Sequence, residues 1–296
     1  MRVFVTGATG FIGSAVVREL IDAGHQVLGM ARSDAGAKSL IAAGAQAHRG
    51  DLEDLEGLRR GAAAAEAVIH TAFIHDFSKY REVCEIDRRA IEALGDTLAG
   101  SDRLLIVTSG LALLAQDRLP TEQDPPIPVS SNYPRASEHT AASLEKRGVR
   151  ALVVRLPQVH DTAKQGLVSY AIQVAREKGV SAYIGDGLKR WAAVHRLDAA
   201  HLYRLALEKG TPGARYHAVA EEGVTVREIA EVIGRGLKVP VVSMTSEKAA
   251  EHFGWLARFD DLDLQASSAQ TREKLGWNST RPGLISDLEN VQYFQA

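Results

Sequence analysis

The sequence contains one cysteine, Cys84, among 296 residues. An intrachain disulfide is therefore excluded, and the helical pattern around Cys84 favours buried packing over redox chemistry. No run of about 18 consecutive apolar residues occurs, and the chain opens on a strand-like segment instead of a charged one followed by an apolar run. We therefore expect no membrane span, and a cytoplasmic location follows by default.

Neither sign of charge is in excess. The 35 Lys and Arg residues nearly balance the 37 Asp and Glu residues, and the formal net charge is −2. Such a balance gives no electrostatic footprint for nucleic acid or for an anionic membrane, so a small molecule is the expected partner. With 45% hydrophobic residues, the chain can bury the core of one large domain or two modest ones.

Apolar runs alternate with helical patterns through the first half of the chain. The predicted strands are residues 2–5, 26–30, 46–48, 67–70, 104–107 and 150–155, and the predicted helices are residues 12–24, 35–43, 53–62, 79–99 and 133–147. This alternation predicts an α/β fold with a parallel sheet covered on both faces. Right-handed crossovers favour the doubly wound, Rossmann topology.

Three glycines lie three residues apart where the first strand meets the first helix. Gly7 permits a tight turn, Gly10 lets the backbone approach a pyrophosphate, and Gly13 allows close packing of helix on strand. The helix N-terminus adds unpaired N–H groups that attract an anion. The segment therefore predicts a dinucleotide phosphate site, lined by Gly7, Thr9, Gly10, Phe11, Ile12 and Gly13.

The second half of the chain has short strand candidates scattered among helices. The strands are predicted at residues 182–184, 191–194, 215–218 and 241–243. We expect a dinucleotide-binding domain at 1–160, to which residues 190–220 return, and a smaller substrate lobe formed mostly by 161–296. The proline-rich segment 120–131 is either an active-site wall or a rigid surface connection.

Further motifs follow the strand ends in order: Gly50-Asp51-Leu52, Thr71-Ala72-Phe73, Thr108-Ser109-Gly110 and Arg155-Leu156-Pro157-Gln158-Val159-His160. With the glycine turn, this series resembles the extended or atypical short-chain dehydrogenase/reductase family, which includes sugar-nucleotide epimerases and dehydratases. The resemblance covers nearly the whole chain. It implies a nicotinamide dinucleotide contacted by strand-end residues: Asp51, Leu52, Thr71, Ala72, Phe73, Pro157 and Val159. Asp51 is equally compatible with capping the following helix.

The end of the second strand bears on the choice of cofactor. An acidic residue there accepts hydrogen bonds from a ribose 2′-OH, whereas an arginine neutralises a 2′-phosphate. No carboxylate occupies that place, while Arg32 and Ser33 offer a cation and a hydroxyl. NADP is therefore favoured over NAD, although the nearby Asp34 leaves NAD open.

The resemblance implies that a Ser or Thr, a Tyr and a Lys carry the proton transfer. Tyr133 is present, but Ser137 stands in the lysine position, four residues later on the same face of the predicted helix. There Ser137 could bond the cofactor ribose or hold a water, while Arg135 is expected to point elsewhere and not to replace the missing cation. The usual catalytic hydroxyl aligns with Gly110, so Ser109 or Thr108 is expected to supply it.

The remaining polar candidates have competing interpretations. His160 is either an acid beside the nicotinamide or a loop residue, and His195 is expected to cap a helix. Lys189, Arg190 and Trp191 could line a substrate pocket, since in sugar-nucleotide members of the family basic residues in this region hold a diphosphate. Alternatively, Trp191 and Arg190 simply pack the lobe interface. The histidine spacings match no metal signature, so no metal site is expected.

The leading hypothesis is an NADP-dependent oxidoreductase that reduces a small carbonyl compound by hydride transfer. The alternatives are a sugar-nucleotide epimerase or dehydratase, and an NADP-binding sensor or scaffold without catalysis. In many relatives, helices at positions 79–99 and 133–147 form a dimer interface, so a homodimer is one expected assembly.

Overall fold

The computed structural model describes residues 1–111, 114, 118–164, 166–260, 262–290 and 292–294. The strands are β1 (Arg2–Thr6), β2 (Gln26–Ala31), β3 (Gln46–Arg49), β4 (Ala67–His70), β5 (Leu104–Gly110), β6 (Arg150–Leu156), β7 (Gln158–His160), β8 (Ser181–Ile184), β9 (Arg190–His195), β10 (Arg215–His217), β11 (Glu221–Thr225) and β12 (Val241–Met244). Six of them match the strands predicted for the first half of the chain.

A seven-stranded parallel sheet forms the centre of the fold. Its strand order is β10-β6-β5-β4-β1-β2-β3, with β1 paired in parallel to both β2 and β4. The strand order therefore reverses between β1 and β4. In open α/β sheets, ligands bind in the crevice outside the carboxyl ends of the strands at such a reversal. The doubly wound prediction is confirmed.

The helices are α1 (Phe11–Asp22), α2 (Asp34–Ala42), α3 (Leu55–Ala63), α4 (Tyr80–Leu98), α5 (Ser137–Lys146), α6 (Gly166–Lys178), α7 (Arg196–Lys209), α8 (Val226–Leu237), α9 (Ser246–Phe253), α10 (Ala257–Asp260), α11 (Ala269–Leu275) and α12 (Leu284–Glu289). Three single 3-10 turns occupy Phe77–Lys79, Gly254–Leu256 and Gln292–Phe294. Within the described ranges, every helix is too short or too polar to cross a bilayer.

Two apolar cores cover the two faces of the main sheet. One contains side chains of α1 and α7, such as Leu20 and Leu202, with Val5 and Ile106 of the sheet. The other contains side chains of α3, α4 and α5, such as Leu94, with alternate residues of the same strands. Because both faces are covered, the strands are continuously apolar.

The chain leaves this sheet after β6 and returns to it at β10, which pairs in parallel with β6. The remaining strands form a three-stranded sheet, β11-β9-β7, and a two-stranded sheet, β12-β8. A separate apolar core around Trp191, Ile233 and Phe253 joins them to α6, α8 and α9. Strands β7 and β11 are absent from the sequence-based prediction.

The start of α5 differs from the prediction. The helical pattern extends from residue 133, but α5 begins at Ser137, and Tyr133 to Ala136 precede it. Pro134 disfavours helical geometry at Tyr133, and the backbone of Tyr133 instead closes a turn with Ser130, whose N–H donates to the Tyr133 carbonyl at 3.0 Å. Residues 133 and 137 therefore do not share a helix face.

Candidate active site

The glycine turn lies at the carboxyl end of β1 and has the shape of a phosphate cradle. Gly7 has φ +68°, and the Gly10 N–H donates to the Gly7 carbonyl at 2.8 Å. A Cβ on Gly7 would lie 2.7 Å from the Ala72 nitrogen, and one on Gly13 would lie 2.1 Å from the Gly7 oxygen. The protein itself therefore requires glycine at both places.

Gly10 has a different reason to be glycine. Its φ of −78° suits any residue, and a Cβ there would meet only the Gly7 oxygen, at 3.1 Å, within 4 Å of described atoms. Gly10 is the N-cap of α1 and provides no side-chain cap, so the first N–H groups of α1 have no capping side chain. This open, uncapped helix start fits a pyrophosphate.

Two cations lie over the ring of Phe11, the first residue of α1. The Lys164 ammonium is 5.6 Å and the Arg196 guanidinium 5.0 Å from the ring centroid. Asp161 joins the two segments: its Oδ1 accepts from the backbone N–H of Lys164 at 2.8 Å, and its Oδ2 forms an ion pair with Arg196 Nε at 3.0 Å. The two cations come from distant segments, and no sequence motif indicates that they meet.

The adenosine end of the expected cofactor site is exposed. Arg32 is exposed, while Ser33 caps α2 by accepting from the Gly36 N–H at 3.1 Å. Asp34 pairs with Arg49 at 3.4 Å on the surface. Arg32 is the cation of this segment left without an ion pair among the described residues.

Asp51 and Leu52 follow β3 as expected. Asp51 Oδ1 accepts from the N–H groups of Glu53 and Asp54, at 2.8 and 3.0 Å. The expectation that Asp51 caps α3 is wrong, because the cap is Asp54, which accepts from the Gly57 N–H. Leu52 is buried.

The segment after β4 packs against the glycine turn. Thr71 Oγ1 donates to the Thr6 carbonyl at 2.7 Å, and Ala72 is the residue that leaves no room for a Cβ on Gly7. Phe73, the next residue, lies 4.6 Å from the Arg135 guanidinium. These three residues thus connect the phosphate turn to the segment that carries Tyr133.

Tyr133 lines a small cavity, of about 10 Å³, beside the end of β5. The lining residues are Ser109, Gly110, Leu114, Pro126, Ile127, Tyr133, Arg135, Glu138 and His139. Burial raises the pKa of Tyr133 above its ordinary value of 10.0, and the positive charge of Arg135 opposes that rise. Pro126 and Ile127 come from the proline-rich segment, which therefore forms part of this wall.

The two candidate hydroxyls of β5 lie in different surroundings. Thr108 Oγ1 is 2.6 Å from the hydroxyl of Tyr203, a fully buried residue of α7. Ser109, one residue on, lines the cavity with Tyr133. Successive strand residues point to opposite faces of a sheet, so only Ser109 reaches the Tyr133 side.

Ser137 is not free to bond the cofactor ribose or a water, although the sequence suggests that it could. It is 1% exposed, donates to Asp87 Oδ2 at 2.6 Å and accepts from Arg135 Nε at 3.0 Å. The expectation that Arg135 points elsewhere is wrong, because Arg135 precedes α5 and its direction does not follow helical spacing. Instead Arg135 lines the cavity of Tyr133.

A buried arginine of β6 contacts both α5 and the proline-rich segment. Arg155, fully buried on β6, donates to both carboxylate oxygens of Glu138, at 3.0 and 2.7 Å. Arg155 also donates to the Asp124 carbonyl at 2.9 Å. These contacts fix the cavity wall relative to α5.

The remaining candidate residues are buried, hydrogen-bonded or part of the backbone framework. His160 is fully buried at the end of β7 and bonds Asp287 at 2.7 Å, so the interpretation as a surface-loop residue is wrong. Burial lowers its pKa to about 4, and its role as an acid stays a prediction. His195 caps α7 by accepting from the Leu197 N–H. Of the two remaining cofactor candidates, Val159 is buried in β7 and Pro157 lies between β6 and β7.

The fold and the glycine turn define a dinucleotide-binding α/β protein. Residues 3–219 match the family model for the NAD dependent epimerase/dehydratase family. The uncharacterized protein C2A9.02 of Schizosaccharomyces pombe is 50% identical over 300 residues, spanning 99% of this chain and 100% of the relative. The uncharacterized protein YLL056C of Saccharomyces cerevisiae is 45% identical over 292 residues, spanning 97% and 98%.

A solved structure is similar over the same length. DesIV, a dTDP-glucose 4,6-dehydratase from Streptomyces venezuelae with NAD and TYD bound, has a TM-score of 0.80 at 19% identity, covering 100% of this chain and 97% of that one. The chain belongs to the NAD-dependent epimerase/dehydratase family, and it is an NAD(P)-dependent enzyme of the extended short-chain dehydrogenase/reductase type.

Proposed function

We propose that this enzyme is an NADP-dependent reductase of a small carbonyl compound. The observation that carries the proposal is the shared cavity of Tyr133, Ser109 and Arg135. Arg135 lies over the ring of Phe73, and the preceding residue, Ala72, packs on Gly7. In this proposal, the nicotinamide end of a dinucleotide held at the glycine turn reaches the proton donor, the second hydroxyl and the cation of that cavity.

The choice of NADP rests on the charges near the end of β2. Arg32 is a cation without an ion pair among the described residues, whereas the acidic Asp34 is paired with Arg49. A 2′-phosphate gains a charge-assisted hydrogen bond from a free guanidinium. No unpaired carboxylate stands at the position that recognises a ribose 2′-OH.

NADPH, when bound, supplies a hydride to the carbonyl carbon and leaves as NADP⁺. The electron pair of the C=O π bond moves to the oxygen, and the Tyr133 hydroxyl donates its proton there. Ser109 donates a hydrogen bond to the same oxygen as its charge develops. The resulting Tyr133 phenolate takes a proton back from solvent, which restores the site.

The test is NADPH oxidation, followed at 340 nm, over a panel of ketones and aldehydes. We expect turnover by the wild type and a loss of about 10²- to 10⁴-fold in Tyr133→Phe, the usual contribution of a general acid. Tyr170→Phe, at a half-exposed tyrosine of α6, is the matched control and should keep the wild-type rate. Equal rates in wild type and Tyr133→Phe would remove Tyr133 from the mechanism.

Sugar-nucleotide chemistry is the main competing function. Of the residues expected to hold a diphosphate, Arg190 bonds Asp263 at 2.9 Å and Trp191 is 2% exposed, whereas Lys189 is exposed. A ligand that binds only the native state raises the melting temperature. We therefore expect no shift with millimolar UDP-glucose, while a clear shift would favour an epimerase or dehydratase. NADPH binding without turnover of any carbonyl would favour a sensor.

A further inference from the structure

Arg135 lines the same cavity as Tyr133 and Ser109, although it lies outside the expected motif. Its guanidinium donates to Ser137 Oγ at 3.0 Å from Nε and to the Thr108 carbonyl at 3.3 Å from Nη2. It also lies over the Phe73 ring, 4.6 Å from the centroid. Three contacts from three segments thus fix its direction beside Tyr133.

A buried chain of hydrogen bonds stands behind these contacts. Ser137 donates to Asp87 Oδ2 at 2.6 Å, and Asp87 Oδ1 is 3.1 Å from His70 Nε2. His70 Nδ1 is in turn 2.8 Å from Thr6 Oγ1, next to the glycine turn. Each of the four is at most 1% exposed, so the chain is held firmly and excludes water.

Ser137, in the lysine position, therefore bridges two charged side chains. Ser137 Oγ lies between the Arg135 guanidinium and the Asp87 carboxylate, accepting from one and donating to the other. A longer side chain at 137 would displace this arrangement, because the site is already filled. The positive charge in the cavity is instead that of Arg135, two residues earlier in the chain.

Arg135 is the charged group facing the Tyr133 phenol that is not paired with another group facing it. The groups that face the phenol are Arg135, Glu138 of α5, Tyr80 and Cys84 of α4, and Arg155 of β6. Glu138 and Arg155 are paired with each other. Burial raises the pKa of the Tyr80 hydroxyl, and of the Cys84 thiol to about 11, so both are neutral at pH 7.

We propose that Arg135 supplies the positive charge that stabilises the Tyr133 phenolate, in place of the lysine of the family pattern, and that Ser137 and Asp87 are positioning residues for Arg135. The proposal rests on the proposed function for its consequence in turnover, but the charge relation between Arg135 and Tyr133 is testable without turnover. An arginine stays protonated throughout, so it stabilises the phenolate without passing a proton itself.

The experiment compares Arg135→Met and Arg135→Lys, with Arg89→Met on the exposed face of α4 as the control. The first readout is the ionisation of Tyr133. It is measured as the difference in absorbance at 295 nm between each protein and its Tyr133→Phe counterpart, in a pH titration from about pH 10 upward. We expect the midpoint to rise in Arg135→Met and to stay near the wild-type value in Arg135→Lys and Arg89→Met.

The second readout is the pH profile of kcat for NADPH oxidation. We expect about a 10- to 100-fold loss in Arg135→Met, with a few-fold loss in Arg135→Lys. Asp87→Asn should give a smaller loss than Arg135→Met and leave the KM for the carbonyl nearly unchanged. If Arg135→Met does not fold, Arg135→Gln, which keeps donors for Ser137 and Thr108, takes its place.

The outcomes separate the two proposals. An unchanged Tyr133 midpoint and an unchanged kcat in Arg135→Met, with Tyr133→Phe inactive, would overturn the role of Arg135 and leave the reductase function standing. A raised midpoint in Arg135→Met, with no carbonyl reduced by the wild type, would support the charge relation while the proposed function fails.

Discussion

Gly10→Ala should separate cofactor binding from folding. The new Cβ would meet only the Gly7 oxygen, at 3.1 Å, a contact that a shift of a few tenths of an ångström relieves. The backbone of Gly10, at φ −78° and ψ 175°, suits alanine. Because alanine is a poorer N-cap than glycine, we expect the free energy of unfolding to fall by about 0.5–1 kcal/mol.

In the proposed cofactor site, the same methyl group lies where the backbone approaches the pyrophosphate. Losing one charge-assisted hydrogen bond of about 2–3 kcal/mol weakens NADPH binding by about 30- to 150-fold. The assays are NADPH fluorescence titration for the dissociation constant and urea denaturation for stability.

Gly24→Ala is the matched control with the opposite expectation. Gly24 follows α1 at φ +83°, with no described atom within 4 Å of an added Cβ. Alanine there should cost about 1–2 kcal/mol of stability through backbone strain and leave NADPH binding unchanged. Wild-type affinity for NADPH in Gly10→Ala would refute the assignment of the turn as the pyrophosphate site.

Two further predictions address other parts of the molecule. Arg32→Ala should weaken NADPH binding by about 10- to 150-fold and leave NADH binding unchanged, because only the 2′-phosphate loses its partner; equal losses for both cofactors would contradict the NADP assignment, and Arg18→Ala, on exposed α1 surface, is the control. Burial lowers the pKa of His160 to about 4, so between pH 6.5 and 4 the unfolded chain binds a proton that the folded chain does not. Its contribution to stability is full above pH 6.5 and falls by up to about 1.4 kcal/mol per pH unit below that; urea denaturation from pH 7 to 5 should show a shallower decline in His160→Gln, and an identical decline would exclude His160 as a cause.

The parts of the fold predicted from the sequence are those set by local patterns. The alternation of apolar runs with helical patterns predicts the doubly wound sheet, and the spacing of Gly7, Gly10 and Gly13 predicts the tight turn between β1 and α1. Each of these signals lies within a few consecutive residues, where propensity and spacing act directly.

The cavity around Tyr133 depends on contacts that no local pattern contains. Helical spacing predicts the wrong direction for the Arg135 side chain, because Pro134 and the turn with Ser130 precede α5, which begins only at Ser137. Likewise, Lys164 and Arg196 meet over Phe11 through tertiary packing, in which α7 lies on α1 and Asp161 pairs with Arg196. The choice between Thr108 and Ser109 required knowing which face of β5 carries α5.

Transfer of deuterium from NADPH labelled at C4 tests the central claim most directly. A carbonyl compound that the wild type turns over would be incubated with NADPH deuterated at one or the other of the two C4 positions. The mass of the alcohol product would then be measured by mass spectrometry. We predict that one form, and not the other, yields an alcohol heavier by one deuterium. An alcohol without deuterium from either form, or label that stays on the cofactor, would contradict hydride transfer at this site.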